Sequence, residues 1–474
     1  MSNVGCSAED RIRGLLDADS FVELGGYVFA RNTDYNLGAK KVKGDGVITG
    51  YGVIGDRMVY VYSQDASALG GSVGEMHAKK IASLYDMAMK TGAPVIGMLD
   101  CAGLRLQEAG DALHAFGRIF RKQAQASGMI PKIAAVFGMC GGGSAVMTGL
   151  SDFVFMEKDK GSLFVNSPNA LEGNFEDKNN TAGSLYQSEK AGNVDFVCEG
   201  EEDMLQKIRQ LISFLPSDYK AEDAYEECRD DLNRIIPELG TEEYDAGMLL
   251  RSIADQNDFL ETKAMTAGEM VTGFLRLNGE TVGAVACQPS VNGGTMGYRG
   301  LKKAASFVRF CDAFSIPLLT VTNTTGFTAN SHEERNLTAS LAEWTSVMAQ
   351  CSVPRINLIT GNAWGTAAVV MNSRAIGADF VLAWPDARVG MMDSSQAIRI
   401  IYADEISDMD DPMALIREKT TEYDQLQNSA MAAAQRGYID DIIEPDATRK
   451  RLIAAFEMLY GKKEVPVAKK HSAV

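Results

Sequence analysis

Apolar positions along the chain change period in a regular order. Over residues 8–18 they fall on one face of a helix. Residues 46–64 then read as extended chain. Val47, Ile48, Val53, Ile54, Met58, Val59, Tyr60, Val61 and Tyr62 are interrupted there by glycine and by Gly55-Asp56, a pair suited to a tight hairpin. Met76, Ile81, Leu84, Met87 and Ala88 restore the helical period across 74–91. The run from Pro94 to Leu99 is continuously apolar, as a strand buried on both faces would be, and ends at Asp100-Cys101-Ala102-Gly103. A helix is expected over 106–127, then the strand Ile133–Phe137, the turn Gly141-Gly142-Gly143-Ser144, a further helical stretch and the strand Phe153–Met156. Strands alternating with helices indicate an α/β protein with crossover connections.

Residues 199–260 form an acidic seam with helices expected near 203–213 and 245–254 and a break at Leu215-Pro216-Ser217. Beyond it the pattern starts again. Met270-Val271-Thr272-Gly273-Phe274 echoes Val47 to Tyr51, and Gly71-Ser72-Val73-Gly74 recurs as Gly294-Thr295-Met296-Gly297, 223 positions later. The same offset carries Lys79-Lys80 to Lys302-Lys303, Pro94 to Pro317, Gly103 to Gly326, Pro131 to Pro354, Gly138 to Gly361 and Gly142 to Gly365. Asp152-Phe153-Val154 matches Asp379-Phe380-Val381 at 227, as four extra residues in the second copy require. So many coincidences at one offset mark a duplicated domain, divided here as 1–230 and 231–474. What recurs is mostly glycine and proline, which govern where the backbone can go. Each half is therefore expected to build the same backbone site. Past Gly390-Met391-Met392 the chain enters a helical region of mixed charge and ends on a basic stretch at Lys469-Lys470-His471, which reads as a surface contact.

Composition narrows the class. With 46% hydrophobic and 23% charged residues the chain can fill real cores, and a formal charge of −17 argues against binding nucleic acid. The eight cysteines include no Cys-x-x-Cys pair and there are only four histidines, so neither a zinc ribbon nor a disulfide framework is indicated. No apolar run reaches the ~20 residues that cross a bilayer. Met1-Ser2-Asn3-Val4-Gly5 does not open a signal peptide, and a reduced cytoplasmic compartment is expected.

The candidate chemistry lies in the glycine turns. Gly141, Gly142 and Gly143 stand between a buried strand and a helix, where N–H groups lack intrahelical acceptors and the helix dipole favours negative charge. Ala102 and Gly103 end the preceding strand, where α/β sheets bind ligands. Two loops donating N–H groups to one point would form an oxyanion hole. Close helix-on-strand packing would explain the same glycines alone, and the duplication favours function. Gly326 with Phe327, and Gly365-Thr366-Ala367, occupy the corresponding places in the second copy. A reaction with two enolate-like partners would use such a pair of sites.

Several segments carry a specific resemblance. Gly44-Asp45-Gly46-Val47-Ile48-Thr49-Gly50-Tyr51-Gly52, Gly70-Gly71-Ser72-Val73-Gly74-Glu75-Met76-His77-Ala78-Lys79-Lys80-Ile81 and Arg436-Gly437-Tyr438-Ile439-Asp440-Asp441-Ile442-Ile443 resemble the carboxyltransferase subunits of biotin-dependent acyl-CoA carboxylases and decarboxylases. The likeness runs from about residue 9 to the tail. It implies tandem crotonase-type β-β-α superhelix domains and transfer of a carboxyl group between biotin, held on a separate carrier protein, and a short acyl-CoA such as propionyl-CoA or methylmalonyl-CoA. It further implies an acyl-CoA side at Ala102, Gly103, Gly141, Gly142 and Gly143, and a biotin side at Gly326, Phe327, Gly365, Thr366, Ala367 and Val369. No side-chain base is then required. The implied partners are a biotin carboxyl carrier protein, either a biotin carboxylase or a membrane decarboxylase subunit, and further copies of the chain in a hexamer.

The chain departs from that family pattern at Thr366, where a second glycine is usual, and at Thr325, where proline is. It differs also across Asn336–Ser340 and Asp100–Leu104. A threonine can replace glycine at 366 only if φ is negative. A biotin-independent hydratase, isomerase or hydrolase would instead need a carboxylate near the first turn, where Glu108 is the candidate; a scaffold without chemistry is the third alternative. Lys90 in Ala88-Met89-Lys90-Thr91 is not expected to carry biotin, because it ends a helix rather than a hairpin. His77 and Cys140 read as packing residues, and Asp440 and Asp441 as capping or ion-pair residues rather than a metal pair.

Overall fold

The computed structural model describes residues 6–31, 42–222, 224–240, 245–409, 411–462 and 464. The N-terminal pentapeptide and the basic stretch at 469–471 lie outside the described residues. The chain divides into two compact units, Met1–Ala224 and Tyr225–Val474. Each is built on an eight-stranded mixed sheet.

In the first unit the strands β1 (Val22–Leu24), β2 (Val47–Ile54), β3 (Arg57–Gln64), β4 (Val95–Cys101), β5 (Lys132–Gly141), β6 (Phe153–Glu157) and β8 (Phe196–Cys198) lie side by side in that order, and β7 (Ser162–Phe164) pairs separately with β5. The second unit repeats this order. Strands β9 (Phe259–Thr262), β10 (Met270–Leu277), β11 (Glu280–Cys287), β13 (Leu318–Thr324), β15 (Arg355–Trp364), β16 (Phe380–Ala383) and β18 (Asp441–Ile442) succeed one another, while β17 (Arg388–Gly390) pairs with β15. The short strands β12 (Thr295–Met296) and β14 (Gly326–Phe327) pair in parallel.

Registers repeat as well as order. Val95 faces Lys132 and Cys101 faces Cys140 in the first sheet; Leu318 faces Arg355 and Thr324 faces Ala363 in the second. All four second-copy positions are the first-copy ones advanced by 223. Each unit opens on a hairpin whose two turn residues have positive φ. These are Gly55 (53°) and Asp56 (68°) in one unit, and Asn278 (53°) and Gly279 (84°) in the other. That geometry matches the right-handed twist of the flanking strands.

Strand β4 is buried on both faces between two parallel neighbours, which is why Val95 to Leu99 read as an apolar run rather than an alternating one. Helices Glu75–Thr91 and Ala109–Ala126 cover the first sheet, and Tyr298–Ala313 and Ser331–Gln350 are their counterparts in the second unit. Helix Glu75–Thr91 turns Ile81, Leu84, Tyr85 and Ala88 inward and stops at Gly92, whose φ of 66° closes the last turn.

Several expected boundaries shift. The first helix ends at Leu15, where the Leu16 backbone turns extended. The strand expected to end at Phe137 continues to Gly141, because its last residues pair with β7. Lys90 is exposed one residue before the helix ends, as its sequence context implied. Among the described residues no helix is long and apolar enough to cross a membrane.

Candidate active site

Strand β5 delivers the chain into the first glycine turn. Gly141 ends the strand so close to the Phe164 ring that a β-carbon there would sit 2.8 Å from it. Gly142 follows with φ 60° and ψ −119°, a conformation closed to L side chains, and helix Gly143–Gly149 begins. The N–H of Gly142 is not open: it donates to the Phe164 carbonyl at 2.9 Å, one residue beyond the β5–β7 pairing. The open donors of this turn are Gly143 and Ser144, whose N–H groups have no acceptor among the described residues.

The partner loop shows a similar shift of one or two residues. Ala102 N–H donates to Gly70 O at 2.9 Å, and Gly103 N–H is turned back on Cys101 Sγ at 3.2 Å. Neither is open, although Gly103 places the loop against the turn, its hypothetical β-carbon lying 3.7 Å from Gly141 O. The open group is Leu104. It bridges Val73 in parallel, with Val73 N–H donating to Gly103 O and Arg105 N–H to Val73 O, so the Leu104 N–H points to the opposite side. The sequence reading missed Leu104. The repeat contained the signal, since Phe327 lies 223 residues further on.

The second copy carries the same arrangement with different commitments. Gly365 repeats the φ of 60°. Here neither Gly365 nor Thr366 N–H has an acceptor among the described residues: Gly390, paired with Trp364 as Phe164 is with Gly141, does not take the Gly365 N–H as Phe164 takes that of Gly142. Thr366 is helical with negative φ, which meets the condition for a side chain there. At Gly143 a β-carbon would meet the Phe116 ring at 2.7–2.9 Å, so the first copy excludes what the second accepts. Phe327 bridges Met296, leaving its own N–H on the far side, while Gly326 (φ 134°) donates to Thr324 Oγ1 at 3.2 Å. Thr325 ties its loop down by two bonds, N–H to Gly294 O at 3.1 Å and Oγ1 to Gly293 O at 2.8 Å. Ala367 is buried under the turn and Val369 is 44% exposed.

Val369 and Gly365 border a cavity of about 490 Å³ whose wall is mostly apolar, from Ile359, Ala363, Val389 and Met391, with Asn428, Arg436 and Tyr438 adding polar groups. Asn428 is buried and donates to Met392 O at 3.1 Å and Ser394 Oγ at 2.8 Å, which fixes the segment beside Gly365. The turn thus sets open N–H groups beside a largely apolar chamber.

The acidic, histidine and cysteine candidates that the sequence offers are all engaged or buried among the described residues. Glu108 is buried and occupied, paired with Arg105 at 2.9 Å and accepting Glu75 N–H at 2.6 Å. Arg105 also binds Asp45 and donates to Ser72 O at 2.6 Å, so the network clamps the loop that carries Leu104. His77 lies beside it with Nδ1 3.0 Å from Asp45 O and its N–H on the Asp45 carboxylate at 2.7 Å. Burial and the neighbouring Arg105 push its pKa down to about 3, so the ring is neutral and structural. Burial raises the Cys140 thiol well above its usual value, which leaves it unreactive. Asp440 accepts Val381 N–H at 2.8 Å and pairs with Arg374 at 3.1 Å. No group of acidic, histidine and cysteine side chains able to hold a metal occurs among the described residues.

Two crotonase-like units in tandem are the fold of a carboxyltransferase, and the chain belongs to the carboxyl transferase domain family, whose model matches residues 7–474. It is 37% identical to the methylmalonyl-CoA decarboxylase subunit alpha of Propionigenium modestum, over 99% of this chain and 93% of that protein. It is 38% identical to the propionyl-CoA carboxylase beta chain of Roseobacter denitrificans, with the same coverage of both chains. Among solved structures it superposes on transcarboxylase 12S, a hexamer core crystallised with methylmalonyl-CoA and methylmalonic acid, with a TM-score of 0.93, 34% identity and coverage of 98% of this chain and 92% of that one.

Proposed function

We propose that this chain moves a carboxyl group between biotin on a carrier protein and a short acyl-CoA such as propionyl-CoA or methylmalonyl-CoA. The observation that carries the reading is the repetition of an open-donor turn in both units, with Glu108, the nearest candidate base of the first, engaged by Arg105. In the decarboxylating direction, the bond between the carboxyl carbon and the α-carbon breaks, and its electron pair moves onto the thioester oxygen as an enolate. Gly143 and Leu104 N–H groups meet that charge, with Gly142 setting the turn and Gly141, Ala102 and Gly103 shaping the floor. Gly365, Thr366 and Phe327 N–H groups serve the biotin side, over Gly326, Ala367 and Val369. Bound there, biotin would supply a ureido nitrogen that takes up the carboxyl group and whose displaced proton goes to the α-carbon of the acyl enolate.

Relatives named as carboxylase and decarboxylase subunits support a carrier protein and either a biotin carboxylase or a membrane decarboxylase subunit as partners. A hexamer of this chain follows the transcarboxylase core. Cysteines present as free thiols suit the cytoplasm. Glu108, the carboxylate that a hydratase or isomerase would use, is spent on Arg105, which disfavours that alternative.

The test is an assay of the purified chain with free biotin and methylmalonyl-CoA or malonyl-CoA, following loss of the carboxyl group. Biotin-dependent loss is expected. Turnover of enoyl-CoA or thioester substrates without biotin, and none with it, would overturn the reading.

A further inference from the structure

In the first unit the loop that carries Leu104 is held at both ends by a buried chain of polar side chains, and the second unit does not repeat it. Resting on the carboxyltransferase reading above, we propose that Gln64 and His77 are positioning residues for the acyl-CoA side. His77 sets the amide of Gln64, Gln64 holds the Asp100 end of the loop, and together they aim the Leu104 N–H at the thioester oxygen.

Strand β3 pairs with β4 as far as Ser63 and Met98. On the other side of β4, Leu99 faces Val136 but Cys101 faces Cys140, so the register with β5 slips at Asp100. There the Asp100 N–H donates not to a strand carbonyl but to Oε1 of Gln64, the last residue of β3, at 3.2 Å. Arg105 fixes the other end of the loop through Asp45, Glu108 and Ser72. His77 joins the two ends. Its Nδ1 lies 3.0 Å from Asp45 O, and its Nε2 lies 3.3 Å from Gln64 Nε2. A carbonyl oxygen only accepts, so Nδ1 carries the proton and Nε2 presents its lone pair. Gln64 must then give an N–H to Nε2, which turns its Oε1 toward the Asp100 N–H. Gln64, His77 and Asp45 are fully buried, and a buried network satisfied in this way holds one geometry.

The repeat shows that the fold can be built without this chain. At the offset of 223, Gln64 becomes Cys287, His77 becomes Gly300, Asp45 becomes Gly268 and Arg105 becomes Thr328. The second unit still forms the same strand order and the same parallel bridge, with Met296 and Phe327 in place of Val73 and Leu104. Hydroxyl groups secure its loop instead: Thr328 Oγ1 meets Thr295 Oγ1 at 2.8 Å, and Thr325 is tied to Gly293 and Gly294. Gln64 and His77 therefore serve something particular to the first loop. The acyl enolate gathers its charge on one oxygen, and its stabilisation falls steeply when a donor is displaced.

The experiment compares Gln64→Met, His77→Phe and His77→Gln in the full chain, with a melting curve for each. Methionine keeps the length of Gln64 without its amide, and phenylalanine keeps a ring at 77 without its nitrogens. Glutamine at 77 can offer a carbonyl oxygen where Nε2 stood. The first reading needs neither turnover nor biotin: the infrared stretch of propionyl-CoA labelled with ¹³C at the thioester carbonyl, in the presence of saturating protein. The parent protein and His77→Gln should lower that frequency more than Gln64→Met or His77→Phe does. The second reading is biotin-dependent loss of the carboxyl group from methylmalonyl-CoA. Gln64→Met and His77→Phe should each lose about tenfold to hundredfold in kcat with KM for biotin unchanged, and His77→Gln should stay within about threefold of the parent. Combining Gln64→Met with His77→Phe should be no slower than Gln64→Met alone, because His77 acts through Gln64. A thioester stretch in Gln64→Met equal to that of the parent, or a kcat of His77→Phe equal to that of His77→Gln, overturns the proposal and leaves the carboxyltransferase reading standing. Should Gln64→Met not fold, the two His77 variants decide by the same readings. Absence of biotin-dependent turnover in the unmutated chain overturns the carboxyltransferase reading, while the thioester stretch still decides whether Gln64 and His77 position the Leu104 donor.

Discussion

The contact between Gly143 and Phe116 permits a quantitative test of the first turn. Replacing Gly143 by alanine puts a methyl group 2.7 Å from Cε1, 2.8 Å from Cδ1 and 2.9 Å from Cζ of a ring that is only 5% exposed. Carbon atoms in good contact lie about 3.5–4.0 Å apart, so ring and turn together must give by roughly 1 Å. Overpacking of this kind costs about 1–3 kcal/mol of stability. Displacement of a positioned donor by about 1 Å costs on the order of 100-fold in rate. Gly143→Ala should therefore remain folded at 25 °C, with a lower melting temperature, and lose about two orders of magnitude in kcat for biotin-dependent decarboxylation. Phe116→Leu makes room for the methyl group, and the double variant should recover a large part of both losses. Calorimetry and steady-state kinetics on the four proteins of this cycle measure the coupling. Gly143→Ala with kcat within twofold of the parent would refute the placement of Gly143 as a donor. Additive losses in the double variant would refute the steric account.

Other perturbations separate structural from chemical roles. Glu108→Gln breaks a buried ion pair while Arg105 keeps Asp45, so thermal unfolding should show a loss of about 3 kcal/mol with kcat of the folded protein little changed; abolished kcat at unchanged stability would make Glu108 a base. His77 has a folded pKa of about 3, below its unfolded value near 6.5, so the unfolded chain takes up a proton first as pH falls. Its contribution is intact above pH 6.5 and erodes by up to about 1.4 kcal/mol per pH unit down to about 3, a slope that urea titrations should find reduced in His77→Gln. Asn428→Ala removes two buried donor bonds that fix Met392 and Ser394, and should cost about 1–3 kcal/mol while raising KM for biotin and leaving CoA-ester affinity unaltered.

Much of the architecture was legible because duplication is a property of sequence. Glycine, proline and aspartate recur where backbone geometry demands them, and Gly142 and Gly365 do share a φ of 60°. Buried parallel strands announce themselves as apolar runs, and amphipathic helices by period. The positions of β1, β7, β8, β17 and β18 were not legible, since two or three residues carry no readable period and their pairing is set by distant strands.

The same division holds at the site. Which turns bend into glycine-only geometry could be read from the residues alone, and Gly142 and Gly365 do adopt it. Which N–H groups are open depended on long-range pairing. Phe164 withdraws the Gly142 donor and Cys101 that of Gly103, and the parallel bridge with Val73 turns Leu104 outward. The status of Glu108 likewise depended on Arg105 folding back against it, and the tolerance for Thr366 on the space around one helix end. Local rules fix where a backbone can bend; long-range contacts fix which of its polar groups remain available for a substrate.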